Sequence, residues 1–186
     1  IMRTLKHLGK INTILQCDLS EQMLRRTSGL RFAADEELLP VGDGMLDLVI
    51  SCLSLHWVND LPGCFIQMRK ALKEDGLFLV ALFGGETLKE LRQSLMAAET
   101  QILGGAGPRV SPFADIQDGG ALLQRAGFAL PVVDTDLLTV SYKNPLELMR
   151  DLRGMGEQMS TYTRQKTFTR RDVLFKAADI YQNTYG

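Results

Sequence analysis

Histidine is scarce in this chain, with only His7 and His56 among 186 residues. The three cysteines, Cys17, Cys52 and Cys64, show no CxxC spacing and stand near no histidine cluster. Metal sites built on cysteine and histidine need such spacing, so the reading carries no metal. An odd, unpatterned cysteine count points to reduced, packed thiols in an intracellular protein. Charge of one sign is missing too: 21 Lys and Arg against 22 Asp and Glu give a net charge of −1. The basic residues are scattered, which excludes an electrostatic footprint for nucleic acid. The longest apolar run, LFLVALF at 77–83, has seven residues, against the roughly 20 that a membrane-spanning helix needs. There are no repeats and no low-complexity segments. Ile1-Met2 is not an initiator and no targeting segment precedes it, so the expectation is a chain that starts within a longer protein.

What remains is ordinary for a globular α/β protein, with 45% hydrophobic and 23% charged residues, and the length suits one domain with a sizeable core. Residues 1–9 place Ile1, Leu5 and Leu8 on one helical face, closed by Gly9. INTILQC at 11–17 is a short apolar run ending at Asp18, and SEQMLRRTS follows as a short helix capped by Ser20 or Asp18. LRFAA is a weak strand ending at Asp35. MLDLVISCL is a near-continuous apolar run of strand length, as expected where both faces are covered. Asp60 caps the next helix with Pro62 in its first turn. Its apolar residues Leu61, Phe65, Met68 and Leu72 carry it to Gly76, before a second buried strand, GLFLVALF. Strand and helix alternate, the rhythm of a parallel sheet with helices on both faces.

Beyond Gly84-Gly85 the texture changes. TLKELRQSLMAAETQIL is an amphipathic helix stopped by GGAGP at 104–108, and VSPF leads into a second helix ending at Ala126-Gly127. PVVDTDLLTVSY reads as a strand with polar alternation, Asn144-Pro145 opens another helix, and Thr169 to Asp172 resembles a capping box for the last.

In open parallel sheets ligands bind beyond the carboxyl ends of the strands, and polar residues stand at those ends: Asp18, Asp35 and Ser51. A carboxylate has two acceptor oxygens, which match the vicinal hydroxyls of a ribose or the amino group of an adenine. A plain helix N-cap is the competing reading of Asp18.

Four stretches, CDLSEQML, ADEELLP, LDLVISCLSLHWVNDLP and LKEDGLFLVALFGGETLKELR, together resemble class I S-adenosylmethionine-dependent methyltransferases. The segments GGETLKELR, PRVSPFADI, RAGF, DTD and LMRDLRGMGE narrow the resemblance. They are similar to the subgroup of mitochondrial complex I assembly factor 5 proteins and their bacterial relatives, and more distantly to malonyl-carrier-protein methyltransferases of biotin synthesis.

The resemblance implies a Rossmann-like α/β fold with a mostly parallel sheet. It implies a single domain over 1–186, with a cofactor-binding core at 1–85 and a helical, substrate-side part at 86–186. It implies S-adenosylmethionine as cofactor, with Asp18 on the ribose hydroxyls, Met23 near the adenine, Asp35 on the adenine amino group, and Ser51 and Leu53 along the methionine portion. Such enzymes carry a strand and a glycine-rich turn ahead of the strand that ends at Asp18, and neither occurs after Ile1. In the family's strand order, 3-2-1-4-5-7-6, that strand lies between those ending at Asp18 and Ser51. The seventh strand is expected after residue 186, so the expectation is truncation at both ends.

His56 is the one candidate for a catalytic base, at the beginning of the connection after a strand. Trp57 reads as packing for the next helix or as acceptor wall. The loop at 104–113 is a lid over the acceptor or an ordinary connection, with Arg109 and Phe113 as substrate candidates. Tyr142 and Tyr162 are further wall candidates, and the Met-rich segment at 149–159 reads as packing. His7 reads as surface. The expected activity is methyl transfer to a small molecule or a protein such as a complex I subunit. The alternatives are protein arginine hydroxylation and a non-catalytic assembly factor for respiratory complex I. A bacterial cytoplasm or a mitochondrial matrix fits either.

Overall fold

Short apolar runs separated by capped helices become an alternating α/β arrangement in the computed structural model, which describes residues 4–5, 11–111, 113, 115–157 and 168–186. The strands are β1 (Leu15–Asp18), β2 (Leu30–Ala33), β3 (Leu46–Cys52) and β4 (Leu72–Ala81). The helices are α1 (Glu21–Arg25), α2 (Leu61–Ala71), α3 (Lys89–Leu103), α4 (Ile116–Arg125), α5 (Pro145–Met155) and α6 (Arg171–Tyr185), with a 3-10 turn at Leu55–Trp57. Thr4 and Leu5 are helical. The rest of the expected first helix, with His7 and Gly9, lies outside the described residues, as does Tyr162.

All observed pairing is parallel. β1 runs beside β2 with Asp18 opposite Ala33, and β3 runs beside β4 with Ser51 opposite Val80. These form two separate two-stranded sheets, so β1 and β3 are not hydrogen-bonded to each other. The exit of β2 is nonetheless sewn to the exit of β3. Ser54 Oγ donates to Glu36 Oε1 at 2.6 Å, and the Asn59 and Asp60 amides donate to Glu37 Oε1 at 2.5 and 3.4 Å. Gln67 on α2 completes the seam, donating to Glu37 O at 2.7 Å and accepting from the Leu39 amide at 2.9 Å.

Local chemistry explains most helix starts. Ser20 caps α1 by accepting from Met23 N, Asp60 Oδ1 accepts from Gly63 N at 2.9 Å, and Asn144 Oδ1 accepts from Glu147 N at 3.0 Å. Two cores form. One gathers Leu55, Cys64, Phe65 and Met68 against the inner face of β3 and β4, where Phe78 meets Phe65 edge-on and stacks on Phe128 at 5.1 Å. The other joins α3, α5 and α6 through Leu91, Leu95, Ala98, Leu148, Val173 and Ala177.

Several expectations are corrected. Helix α2 stops at Ala71, not Gly76, because Leu72 is already paired opposite Leu46 at the start of β4; pairing overrides the helical period. β4 is covered on one face only: Phe78 and Val80 pack inward while Leu77 and Leu79 are exposed. Residues 131–142 form no strand, for nothing described pairs with them, and Leu137, Leu138 and Val140 stand in solvent. No capping box opens α6. Its N-cap is Arg170, whose guanidinium instead pairs with Asp172. Of the thiols, only Cys64 is packed; Cys17 and Cys52 are exposed.

Cys64 donates its thiol proton to Glu36 O at 3.3 Å. Burial first, then the nearby charges of Glu37, Asp60, Glu36 and Asp35, push this thiol from 9.0 up to about 12. The unfolded chain therefore loses the proton first, and stability falls as pH rises from about 9 towards about 12. Urea unfolding across this range will show a steeper alkaline loss for the native chain than for Cys64→Val; parallel curves would contradict the burial of this thiol.

Candidate functional site

The carboxyl edge of the sheet collects the polar residues that the sequence places there. Asp18 ends β1, and its Oδ1 accepts from the Ser20 amide at 2.7 Å. Asp35 lies two residues past β2, and its Oδ1 accepts from the Glu37 amide at 2.9 Å. Each acid thus forms the same tight turn with the amide two residues on, which fixes its carboxylate against its own backbone. The parallel register sets Asp18 beside the end of β2, and the Ala34 amide reaches Asp18 O at 3.4 Å. Met23, on α1, is 51% exposed. Cap and ligand are therefore not exclusive readings of Asp18, since the Ser20 hydroxyl is the cap proper.

On the second strand pair, Ser51 is the penultimate residue of β3. Leu53 follows with φ 53°, and its amide extends the ladder to Ala81 O at 2.9 Å. A leucine at positive φ costs about 1–3 kcal/mol and is held only where surroundings over-determine it. Here it swings the chain off the sheet into the 3-10 turn that carries His56 and Trp57.

That turn, together with Leu82 and Phe83 beyond β4, opens onto two cavities. The larger, about 440 Å³, is walled by Leu55, His56, Leu82, Phe83 and Phe113, with Asp118 and Arg125 of α4 at its polar side. The second, about 280 Å³, has Trp57, Arg109, Phe113, Arg153 and Glu157 around an apolar wall from α3 and α5. His56 and Phe113 line both. The His56 ring is buried among Trp57, Phe83 and Phe113, with ring centres 5.5, 4.8 and 6.0 Å away. Its Nε2 lies 3.2 Å from Glu157 Oε2.

Trp57 lines the second cavity. Arg109 is not a solvated loop side chain: its Nε donates to Glu99 Oε1 at 2.6 Å, and the Gly107 amide donates to Oε2 at 2.9 Å. Fully buried Glu99 thus ties the 104–109 loop back onto α3. Tyr142 packs against the α3–α5–α6 core instead.

Sequence reasoning missed Glu157, Phe83, Glu99 and Arg153. Glu99 left a trace, since it continues the Leu91–Leu95 stripe four residues on and so faces the core. Glu157 left none, because its role depends on a partner 101 positions away. Among the described residues no cluster of three His, Cys, Asp or Glu side chains could hold a metal, and no helix is long and apolar enough to cross a membrane.

Parallel strands alternating with helices give a Rossmann-like α/β arrangement, and comparison with known proteins agrees. The Methyltransferase domain family matches residues 1–80. The S-adenosylmethionine dependent methyltransferase of Mesorhizobium loti superposes with a TM-score of 0.54 at 19% identity, covering 85% of this chain and 82% of that one. The chain thus shares the fold of S-adenosylmethionine-dependent methyltransferases.

Along nearly its whole length the chain is also similar to the mitochondrial protein named Arginine-hydroxylase NDUFAF5. It is 46% identical to the Rattus norvegicus protein over 188 residues, 97% of this chain and 54% of that one. The Homo sapiens protein is 46% identical over 180 residues, 94% of this chain and 52% of that one. The Malonyl-[acyl-carrier protein] O-methyltransferase of Nitrosospira multiformis is 40% identical over 159 residues, 85% of this chain and 50% of that one. The chain spans about half the length of these relatives.

The buried Glu99–Arg109 pair yields a test. Glu99→Ala leaves the guanidinium without this carboxylate and costs about 3–5 kcal/mol in urea unfolding. Glu99→Ala combined with Arg109→Ala will cost less than the two single losses added; strict additivity would show that the pair does not hold the loop.

Proposed function

We propose that the chain carries the cofactor-binding edge and acceptor wall of an S-adenosylmethionine-dependent methyltransferase. Asp18 takes the ribose hydroxyls, Asp35 the adenine amino group and Met23 the flank of the adenine. Ser51 and Leu53 border the methionine portion. The observation that carries this reading is the alignment of two turn-fixed carboxylates on one strand pair with two cavities at the same end of the other pair. Ligands of open α/β sheets lie at that edge. The donor set fits the cofactor: a diol and an amino group offer protons, and ionised carboxylates only accept.

When bound, S-adenosylmethionine supplies an electrophilic methyl group on sulfur. The chain's own contribution is placement in a water-poor space, walled by Trp57, Phe83 and Phe113, where a held acceptor needs little further assistance. The acceptor is a small molecule or a protein, one such being a subunit of respiratory complex I. In such an enzyme a further strand would lie between β1 and β3, which share no ladder. The glycine-rich turn would follow that strand.

A second reading is favoured by the name of relatives 46% identical to this chain, arginine-hydroxylase. It places an arginine side chain of a protein in the same cavities and would need dioxygen, one atom inserted into the side chain and the other leaving as water on two electrons and two protons from a redox partner. The same relatives are named as mitochondrial, a likeness that favours the mitochondrial matrix, with a bacterial cytoplasm as the other location.

Calorimetric titration of the full-length protein with S-adenosylmethionine and S-adenosylhomocysteine tests the first reading. Both will bind, and Asp18→Ala will weaken binding at least about tenfold, as expected for loss of charge-assisted hydrogen bonds. Absence of heat and of any thermal shift would contradict it.

A further inference from the structure

His56 and Glu157 meet across the molecule, at the wall between the two cavities. Glu157 is placed there by the end of α5. Gly156 adopts φ 83°, its amide returns to Arg153 O at 3.2 Å, and the Glu157 amide returns to Leu152 O at 2.9 Å. These two bonds are the paired closure of a left-handed helix cap. They turn the chain so that the Glu157 carboxylate points back at a ring 101 residues earlier. His56 is rigidly seated, with 4% of its side chain exposed, and Glu157 is half-buried at 23%.

The chemistry of the contact fixes the ring. An ionised carboxylate only accepts hydrogen bonds, so the proton between these groups belongs to Nε2 of the histidine. In the neutral imidazole the lone pair then lies on Nδ1. Nδ1 is buried and has no hydrogen-bond partner among the described residues. A histidine kept only for packing satisfies both nitrogens or gives way to a third phenylalanine beside Phe83 and Phe113. Here the fold instead retains an unpartnered acceptor in a residue that walls both cavities, at a cost in desolvation.

We propose that Glu157 is a positioning residue that holds His56, a ring walling both cavities, in the tautomer with Nδ1 as a proton acceptor. The acceptor chemistry rests on the methyl-transfer reading, whereas the geometry does not. An acceptor N–H or O–H that gains a methyl group must release one proton, while the electron pair of the broken carbon–sulfur bond stays on sulfur. Nδ1 takes that proton, and the positive ring is then stabilised by the Glu157 carboxylate at Nε2. Arg109 and Arg153 on one cavity and Asp118 and Arg125 on the other are the remaining charges in the walls.

Long-range proton–nitrogen correlation spectra of the full-length protein, labelled at histidine nitrogen, read the tautomer directly. The signal that vanishes in His56→Asn identifies the ring. Wild-type His56 will carry one exchange-protected proton on Nε2 and a bare Nδ1. Glu157→Ala will lose that protection while the backbone amide spectrum stays native. Glu157→Gln, which preserves the volume should the alanine variant fail to fold, will move the Nε2 proton out of its carboxylate-bonded position. A proton on Nδ1 in the wild type, or a ring signal indifferent to both variants, would overturn the proposal. A parallel titration with S-adenosylmethionine separates the two ideas. Failure of the wild type to bind would remove the methyl-transfer reading, while the ring spectrum decides the role of Glu157 by itself.

Discussion

The carboxyl edge of this protein depends on how the segment after β2 is fastened to the connection after β3. The two strand pairs share no ladder, so backbone pairing does not fix the distance between Asp18 and Asp35 on one side and Ser51 on the other. Glu36 and Glu37 supply that restraint by accepting from Ser54 and from the Asn59 and Asp60 amides, with Gln67 bridging from α2. Beneath them the Cys64 thiol donates to Glu36 O from within the core. An interaction between charged acceptors and backbone amides is stronger and more directional than a neutral contact, which suits an edge that must hold two carboxylates in register with two cavities.

The chemistry proposed for the edge follows from that restraint. The β3–α2 connection leaves the sheet through Leu53 at positive φ, and this strained turn delivers His56 and Trp57 to the cavities. From the other side, the helical half of the chain contributes Phe113, Arg109 and Glu157. Buried Glu99 pins the loop that carries Arg109, and the α5 cap aims Glu157. The cavities are therefore joint products of both halves, which explains why the residues lining them lie so far apart in the chain.

How much of this was legible in the sequence differs by the range of the cause. Local causes read well: Ser20, Asp60 and Asn144 cap the helices whose starts they mark, and Gly104 and Gly156 end helices at positive φ. The two acids at strand ends were found because strand ends are local as well. Non-local causes read poorly. Leu72 followed helical spacing yet joined a strand, since its partner Leu46 is 26 positions earlier. The alternation at 131–142 suggested a strand, but a strand exists only with a neighbour. Thr169 and Asp172 had capping-box spacing, yet Arg170 captured the carboxylate. Glu157 carried no signal at all, because a carboxylate after a helix cap acquires meaning only from the ring it reaches.

The most direct measurement is a crystal structure of the full-length protein grown with S-adenosylhomocysteine. The account predicts the ribose on Asp18, the adenine amino group at Asp35, and the sulfur beyond Ser51 and Leu53 on the side facing His56. A ligand bound elsewhere, or an edge at which Asp18 and Asp35 both face away from the nucleoside, would contradict it.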